Sequence, residues 1–345
     1  MRAPQALRRT TRSVRPPVVE AFGLSIASDH PLRFHHARGR GRPDVLFEVV
    51  DAPPLPDGWE ATPPSFAAHD VAIPDDVPAT VLIVEGCAVV RFLGAADFFV
   101  WDDRIACVLH DAALEPRIEI WLFGIVLTLW LELRRVPTLR AASVVVRGHA
   151  IGFLATDEGG TSTLAMAMVK AGASLLADDQ LPIARAGGRL LGRAAYPQMR
   201  FSREHAERLL GSTAGLECVE PGSNQVRVPV GPGGVGAFER RAVPIGALYL
   251  PERDASERVE IVPAPFDEAL GLLVRHAFLT GVHDALGLAP ERLRVLADVL
   301  RQAPLRRVRY PSGVEHVGDV RDAILADLTD LEPPAPVPRL RRRGP

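Results

Sequence analysis

GHAIGFLATDEGGTSTLAMAMVKAGASLLADDQLPI, residues 148–183, is the stretch that decides how the rest of the chain is read. Ile151–Leu154 is an apolar strand and 155–160 a short loop. Thr161–Ala171 is a helix rich in Ala, Met and Leu that Gly172 stops. Ala173–Ala177 is an unbroken apolar run, as a buried strand requires, and Asp178-Asp179 closes it. In this order of elements the loop N–H groups and the helix N-terminus form an anion site for phosphate. The usual phosphate loop, G-x-x-x-x-G-K-[ST], sets a lysine on the β/γ-phosphates. Here Ala155, Gly160, Thr161 and Ser162 stand at the four signature positions.

Each part of the segment has a chemical reading. Asp157, Glu158, Gly159, Gly160, Thr161, Ser162 and Thr163 are the candidate phosphate contacts, and Gly159-Gly160 lets the backbone approach without a Cβ in the way. Ser162 is placed to ligate Mg²⁺ through its hydroxyl. Asp178 and Asp179 offer two carboxylates at a strand end expected to lie beside the loop strand. They can hold Mg²⁺ through oxygen or take a proton from an attacking hydroxyl.

Composition narrows the rest. The chain has 345 residues, 47% apolar and 24% charged, with 31 prolines, which suits a globular protein rich in connections. A net charge of -2 leaves no basic surplus for general nucleic-acid binding. Cys87, Cys107 and Cys218 are odd in number and widely spaced, so no disulfide framework or zinc pattern emerges and a reducing cytoplasm is the expected location. Ile118–Leu133 is very apolar but falls short of the roughly 20 residues of a membrane span, and Glu119 and Glu132 flank it, so a buried helix and no membrane contact are expected.

Four regions follow. Residues 1–17 are a basic arm, expected to be disordered. Residues 18–115 are β-rich, with strands at Val45–Val50, Val81–Val84, Ala88–Phe92 and Ile105–Leu109 and a loop from Pro53 to Pro64. Residues 116–330 form an α/β core. It opens with the helix Ile118–Arg134, ended by Pro137, and a hairpin of Ser143–Val146 with Ile151–Leu154 across Arg147-Gly148. Strands then come near Arg189–Ala194, Gln225–Val230, Ile245–Leu250 and Val259–Val262. Helices are expected after the capping hydroxyl of Ser202 and over Phe266–Leu286, Pro290–Gln302 and Val320–Leu328. Residues 331–345 are a Pro- and Arg-rich tail, also expected to be disordered.

The order of these motifs resembles the HPr kinase/phosphorylase family, and especially the divergent HPr-kinase-like proteins of peptide-modification gene clusters. Phe22-Gly23-Leu24-Ser25-Ile26-Ala27-Ser28 is similar to their FGLxIxS opening, and Asp178-Asp179-Gln180-Leu181-Pro182-Ile183 to their DDxLPI. Tyr196-Pro197-Gln198-Met199-Arg200 is similar to YPQxRL, and Pro244–Leu250 to the PLGAIYxL strand, so the likeness runs over residues 20–285. It implies a P-loop core of mixed sheet with flanking helices, related to phosphoenolpyruvate carboxykinase. It also implies ATP with Mg²⁺ and transfer of phosphate to a serine of a peptide or small protein. Ser162, Asp178 and Asp179 would be the metal set, with Asp178 and Asp179 catalytic.

The chain departs from the family at Ala155, at Glu158 and at Thr161, which replaces the lysine. The LHAS motif of the family corresponds to the run from Leu139 to Ser143, so His149 reads as a hairpin residue. The single lysine, Lys170, lies nine residues beyond Thr161, roughly 13 Å along a helix and too far to reach back. Arginine is the substitute, because a guanidinium binds phosphate bidentately and keeps its charge. Arg140, Arg200 and the pair Arg240-Arg241 are the candidates, and Arg140 and Arg200, the preferred ones, join the loop residues in the nucleotide-binding set. A serine kinase is the preferred reading, since the acidic pair is intact; the alternative is a non-catalytic nucleotide- or peptide-binding scaffold.

Overall fold

Short apolar runs separated by Gly, Pro and Asp build the first half of the chain. The computed structural model describes residues 16–33, 37–38, 42–68, 79–154, 160–254, 258–279, 284 and 286–334. These divide into two compact units, residues 1–135 with 279–289, and residues 136–278 with 290–345. The basic arm up to residue 15, the loop positions Ala155, Asp157, Glu158 and Gly159, and the tail beyond 334 lie outside the described residues.

The first unit is one mixed sheet. Its strands are β1 Val18–Ala21, β2 Leu24–Ser28, β3 Ala37–Arg38, β4 Val45–Val49, β5 Phe66–Ala68, β6 Ala79–Val84, β7 Cys87–Phe92, β8 Ala96–Val100 and β9 Arg104–Leu109. Their order is β3-β1-β2-β4-β9-β8-β7-β6-β5, with β4 parallel to both neighbours. Glu85 and Gly86 both take positive φ and turn β6 into β7 as a tight hairpin. Trp59, inside the proline loop, packs edge-on against Phe99 while the Arg91 guanidinium covers its ring.

The apolar run after β9 is helical, as its spacing predicts, yet not one helix. It forms α1 Ile118–Trp121, a π-helical turn Leu122–Val126, and α2 Leu127–Leu133. Gly124, at φ −83° and ψ −112°, departs from helical geometry, and its carbonyl accepts the Thr128 hydroxyl at 2.8 Å. Such a bulge is the usual reason for a break in the i→i−4 ladder. Burial extends all round the run, as its lack of a polar face implies. No described helix is long and apolar enough to cross a membrane.

The second unit is mixed α/β. Its strands are β10 Thr138–Val146, β11 His149–Leu154, β12 Ser174–Ala177, β13 Gln180–Ala186, β14 Arg189–Gly192, β15 Gln198–Ser202, β16 Gln225–Pro229, β17 Ala237–Phe238, β18 Val243–Asp254, β19 Glu260–Pro263 and β20 Leu305–Pro311. Its helices are α3 Thr161–Lys170, α4 Arg203–Leu210, α5 Phe266–Arg275, α6 Ala289–Gln302 and α7 Val317–Asp327. The main sheet runs β17-β12-β10-β13-β14-β18-β20-β19, with β11 bridging β10 and β18 and β15 paired only with β16. The β10–β11 hairpin turns at Arg147-Gly148, φ 50° and 79°.

Two expectations are corrected. The helix foreseen over Phe266–Leu286 ends at Arg275, because Ala277 bridges Leu139, the Phe278 amide bonds Thr138 O, and Leu279 takes φ 56°. The strand carrying the acidic pair does not lie beside the loop strand, since β10 separates β12 from β11. Four strands of this unit went unforeseen: β13, β15, β17 and β20.

One apolar core holds this unit together. Leu164, Met168 and Val169 of α3 pack with Val144, Ile151, Phe153, Leu175, Tyr249 and Val308 from the sheet and with Val320 and Ile324 of α7. Gly152 lets β11 meet β18 closely, because a Cβ there would stand 2.7 Å from Leu248 Cδ2.

Candidate functional site

Strand direction gathers the site. β11 and β12 each run antiparallel to β10 and so share one direction; β18 is parallel to β11, and β20 to β18. The C-terminal ends of four strands therefore meet at one edge, where open α/β sheets bind ligands. Along that edge stand Leu154 at the end of β11, the acidic pair after Ala177, Arg253 near the end of β18 and Tyr310 near the end of β20.

The helix that starts there is α3. Gly160 precedes it in the left-handed region, φ 100°, and no described side chain caps the first turn. Among the described residues no side chain accepts from the amides of that turn, which a phosphate could meet. Thr161 is buried and Ser162 half-buried.

Ser162 Oγ donates to Asp178 Oδ1 at 2.7 Å. Asp178 Oδ2 faces the Arg200 amide at 3.4 Å, which brings β15 to the end of β12. Burial pushes the Asp178 carboxyl up to about 7, and the neighbouring Asp179 adds to the shift, while Ser162 and Arg200 oppose it. Asp179 takes φ 65°, so the chain turns sharply between the two carboxylates. Its carboxylate is 46% exposed and accepts from Arg200 Nη2 at 2.7 Å. Burial by itself would lower the Arg200 guanidinium, but Asp179, Tyr196 and Asp178 outweigh it and hold the charge firmly.

Beside this cluster lies a cleft of about 320 Å³. Ser162, Arg200, His205 and Arg253 line its polar part, and Phe201 and Val317 belong to its apolar part. The carboxylates are not in its lining; they reach it through Ser162 and Arg200. His205 Nδ1 is 2.8 Å from Ser202 Oγ, and that hydroxyl also caps α4 by accepting the His205 amide.

The other sequence candidates separate clearly. Gly160, Ser162, Thr163 and Arg200 line the cleft, whereas Arg140 sits on β10 opposite Gln180, next to the acidic pair and outside the lining. Asp157, Glu158 and Gly159 lie outside the described residues. Lys170 donates to Leu209 O at 2.6 Å, at the far end of α3. His149 is the first residue of β11, with its titration lowered by burial.

Sequence reasoning missed Arg253. The motif of that strand ended at Leu250, and Pro251-Glu252-Arg253-Asp254 reads locally as a turn. Yet β18 continues to Asp254, seven residues in register with β20. A cation just past the motif of a strand parallel to the loop strand was the available signal.

Among the described residues no group of three or more His, Cys, Asp or Glu is placed to hold a metal ion. Ser162 with two carboxylates is a set of hard oxygen donors, which suits Mg²⁺ completed by phosphate and water.

No family model matches the chain, and no curated protein matches it. Among solved structures the chain is similar to the HPr(Ser) kinase/phosphatase from Coxiella burnetii. The identity is 12%, the TM-score 0.25, and the match covers 55% of this chain and 97% of that one. A likeness at that level carries no weight for fold or function.

Proposed function

We propose that the second unit is an ATP-dependent serine kinase-like phosphotransferase of HPr-kinase type, acting on a peptide or small protein. The reading rests above all on the hydrogen bond from Ser162 to Asp178, which joins the first turn of a helix lacking a side-chain cap to a buried carboxylate at the sheet edge.

Each residue takes a role that its surroundings support. The first-turn amides of α3 receive phosphate oxygens. Ser162 and Asp179, whose Oδ2 accepts from Arg200, would hold Mg²⁺. That ion, when bound, neutralises phosphate charge. Asp178, near neutrality through burial, is suited to accept the proton of the acceptor hydroxyl. The acceptor oxygen forms a bond to the γ-phosphorus as the bond to the β-phosphate oxygen breaks and ADP departs. Positioning and charge carry most of such a reaction, so a lysine is dispensable where another cation serves.

One observation favours a non-catalytic nucleotide- or peptide-binding scaffold instead. Arg200 occupies Asp179, and neither carboxylate lines the cleft. Calorimetric titration with ATP, with and without Mg²⁺, tests the proposal. Binding strengthened by Mg²⁺ and lost in Asp178→Ala supports the kinase; binding indifferent to both favours the scaffold. No binding by the native chain would end both nucleotide readings.

A further inference from the structure

We infer that Arg253 is the phosphate-binding cation of the cleft, standing in from a neighbouring strand for the lysine that Thr161 replaces. The inference rests on the nucleotide-binding reading above and deepens it, because it names the group that receives the polyphosphate.

Geometry carries it. A methyl group built on Gly160 would stand 3.1 Å from Arg253 Nη2 and 3.7 Å from Tyr310 Oη. The guanidinium therefore lies against the last residue of the loop, at the start of α3, where phosphate would meet the first-turn amides. Gly160 has a second reason to be glycine besides its φ of 100°: any side chain would crowd the cation.

Two other cations are already committed. Arg200 is held by Asp179 at 2.7 Å and by the field of Asp178. Lys170 points to Leu209 O. Arg140 lies outside the cleft lining. Arg253 is exposed, lines the cleft and, among the described residues, carries no ion pair. Further along the same pair of strands, charges are matched instead: Arg307 is bound by Glu252 and Glu268, and Arg306 by Asp327. A guanidinium that no described carboxylate matches, at the start of a helix with no described side-chain cap and beside a glycine, is arranged for an anion from outside the chain. Its planar fork suits two phosphate oxygens at once.

The lining joins Arg253 and Gly160 with apolar side chains, Val317 and Val320 of α7 and Phe201 of β15. A ligand that carries both a polyphosphate and a flat, weakly polar group suits such a mixed lining.

The test compares native chain, Arg253→Ala, Arg253→Lys and a surface control, Arg208→Ala, each titrated with ATP–Mg²⁺, ADP–Mg²⁺ and adenosine. The loss expected for ATP in Arg253→Ala is about 10- to 100-fold, the range of a charge-assisted pair of hydrogen bonds. Adenosine affinity should not move, Arg253→Lys should recover part of the loss, and Arg208→Ala should match the native chain. Adding Thr161→Lys to Arg253→Ala should restore binding by returning a cation to the usual position. Melting curves of the unliganded native chain and Arg253→Ala should coincide, since among the described residues Arg253 makes no ion pair. ATP bound equally well by native chain and Arg253→Ala would overturn the inference and leave the kinase reading standing. Equal losses for ATP and adenosine would overturn it too, by showing a general collapse of the cleft. Failure of the native chain to bind ATP would overturn both.

Discussion

Replacing Asp178 by asparagine should make the second unit more stable, and by an amount that grows with pH. Asp178 is buried, and burial raises its carboxyl from 3.8 to about 7. A carboxyl held above its unfolded value binds its proton more tightly in the folded chain. Folding stability is then greatest at low pH and falls as pH climbs from about 4 to about 7. Ionising such a group inside the fold costs on the order of 4 kcal/mol by the usual conversion. Asparagine removes that pH dependence while its oxygen still accepts from Ser162. Its amide would face the Arg200 N–H now 3.4 Å from Oδ2, a penalty that does not change with pH. The gap between variant and native stability should therefore widen by about 3 kcal/mol between about pH 5 and about pH 8. All four tryptophans lie before residue 135, so their fluorescence reports the first unit. Amide exchange of β10 and β11 reports the second, comparing both proteins at each pH. Parallel stability curves would refute the buried, proton-holding carboxyl.

Removing the Ser162 hydroxyl in Ser162→Ala takes a hydrogen bond from the Asp178 carboxylate, so the fall in stability should move to higher pH, and ATP–Mg²⁺ affinity should drop with it. Calorimetry together with the same pH series checks both. Tyr249→Phe removes the hydroxyl that donates to Asp327 Oδ2 at 2.5 Å in the core under the site, which should cost about 1–2 kcal/mol in urea unfolding. Gly152→Ala sets a Cβ 2.7 Å from Leu248 Cδ2; because only a side-chain end must yield, a loss of about 1–3 kcal/mol is expected. A neutral alanine would show that β11 and β18 are less tightly packed.

Much of the site was legible because its signals are local. Arg147-Gly148 and Gly172 punctuate the hairpin and the helix, the apolar run of β12 announces burial, and Asp178-Asp179 marks the strand end. Ser162 and Asp178 were expected in one metal set, but the hydrogen bond between them was not foreseen. What stayed hidden depends on partners distant in sequence. β20 reads LRRVRYP, too charged to suggest an inner strand, and becomes one because Asp327, Glu252 and Glu268 meet its arginines. Arg253 owes its place to pairing between β18 and β20, and Arg200 its commitment to a turn at Asp179. The early end of α5 has the same origin, since Leu139 and Thr138 claim the backbone of Ala277 and Phe278. The insertion of β10 between β11 and β12 is likewise a matter of pairing.

The most direct measurement is amide hydrogen exchange of the native chain with ATP and Mg²⁺ together, with each alone, and with neither. The expected result is slowed exchange at the first turn of α3 and at Asp178–Gln180, largest when both are present. Protection by ATP–Mg²⁺ confined to other residues, with none at these two segments, would contradict a phosphate site at the Ser162–Asp178 edge.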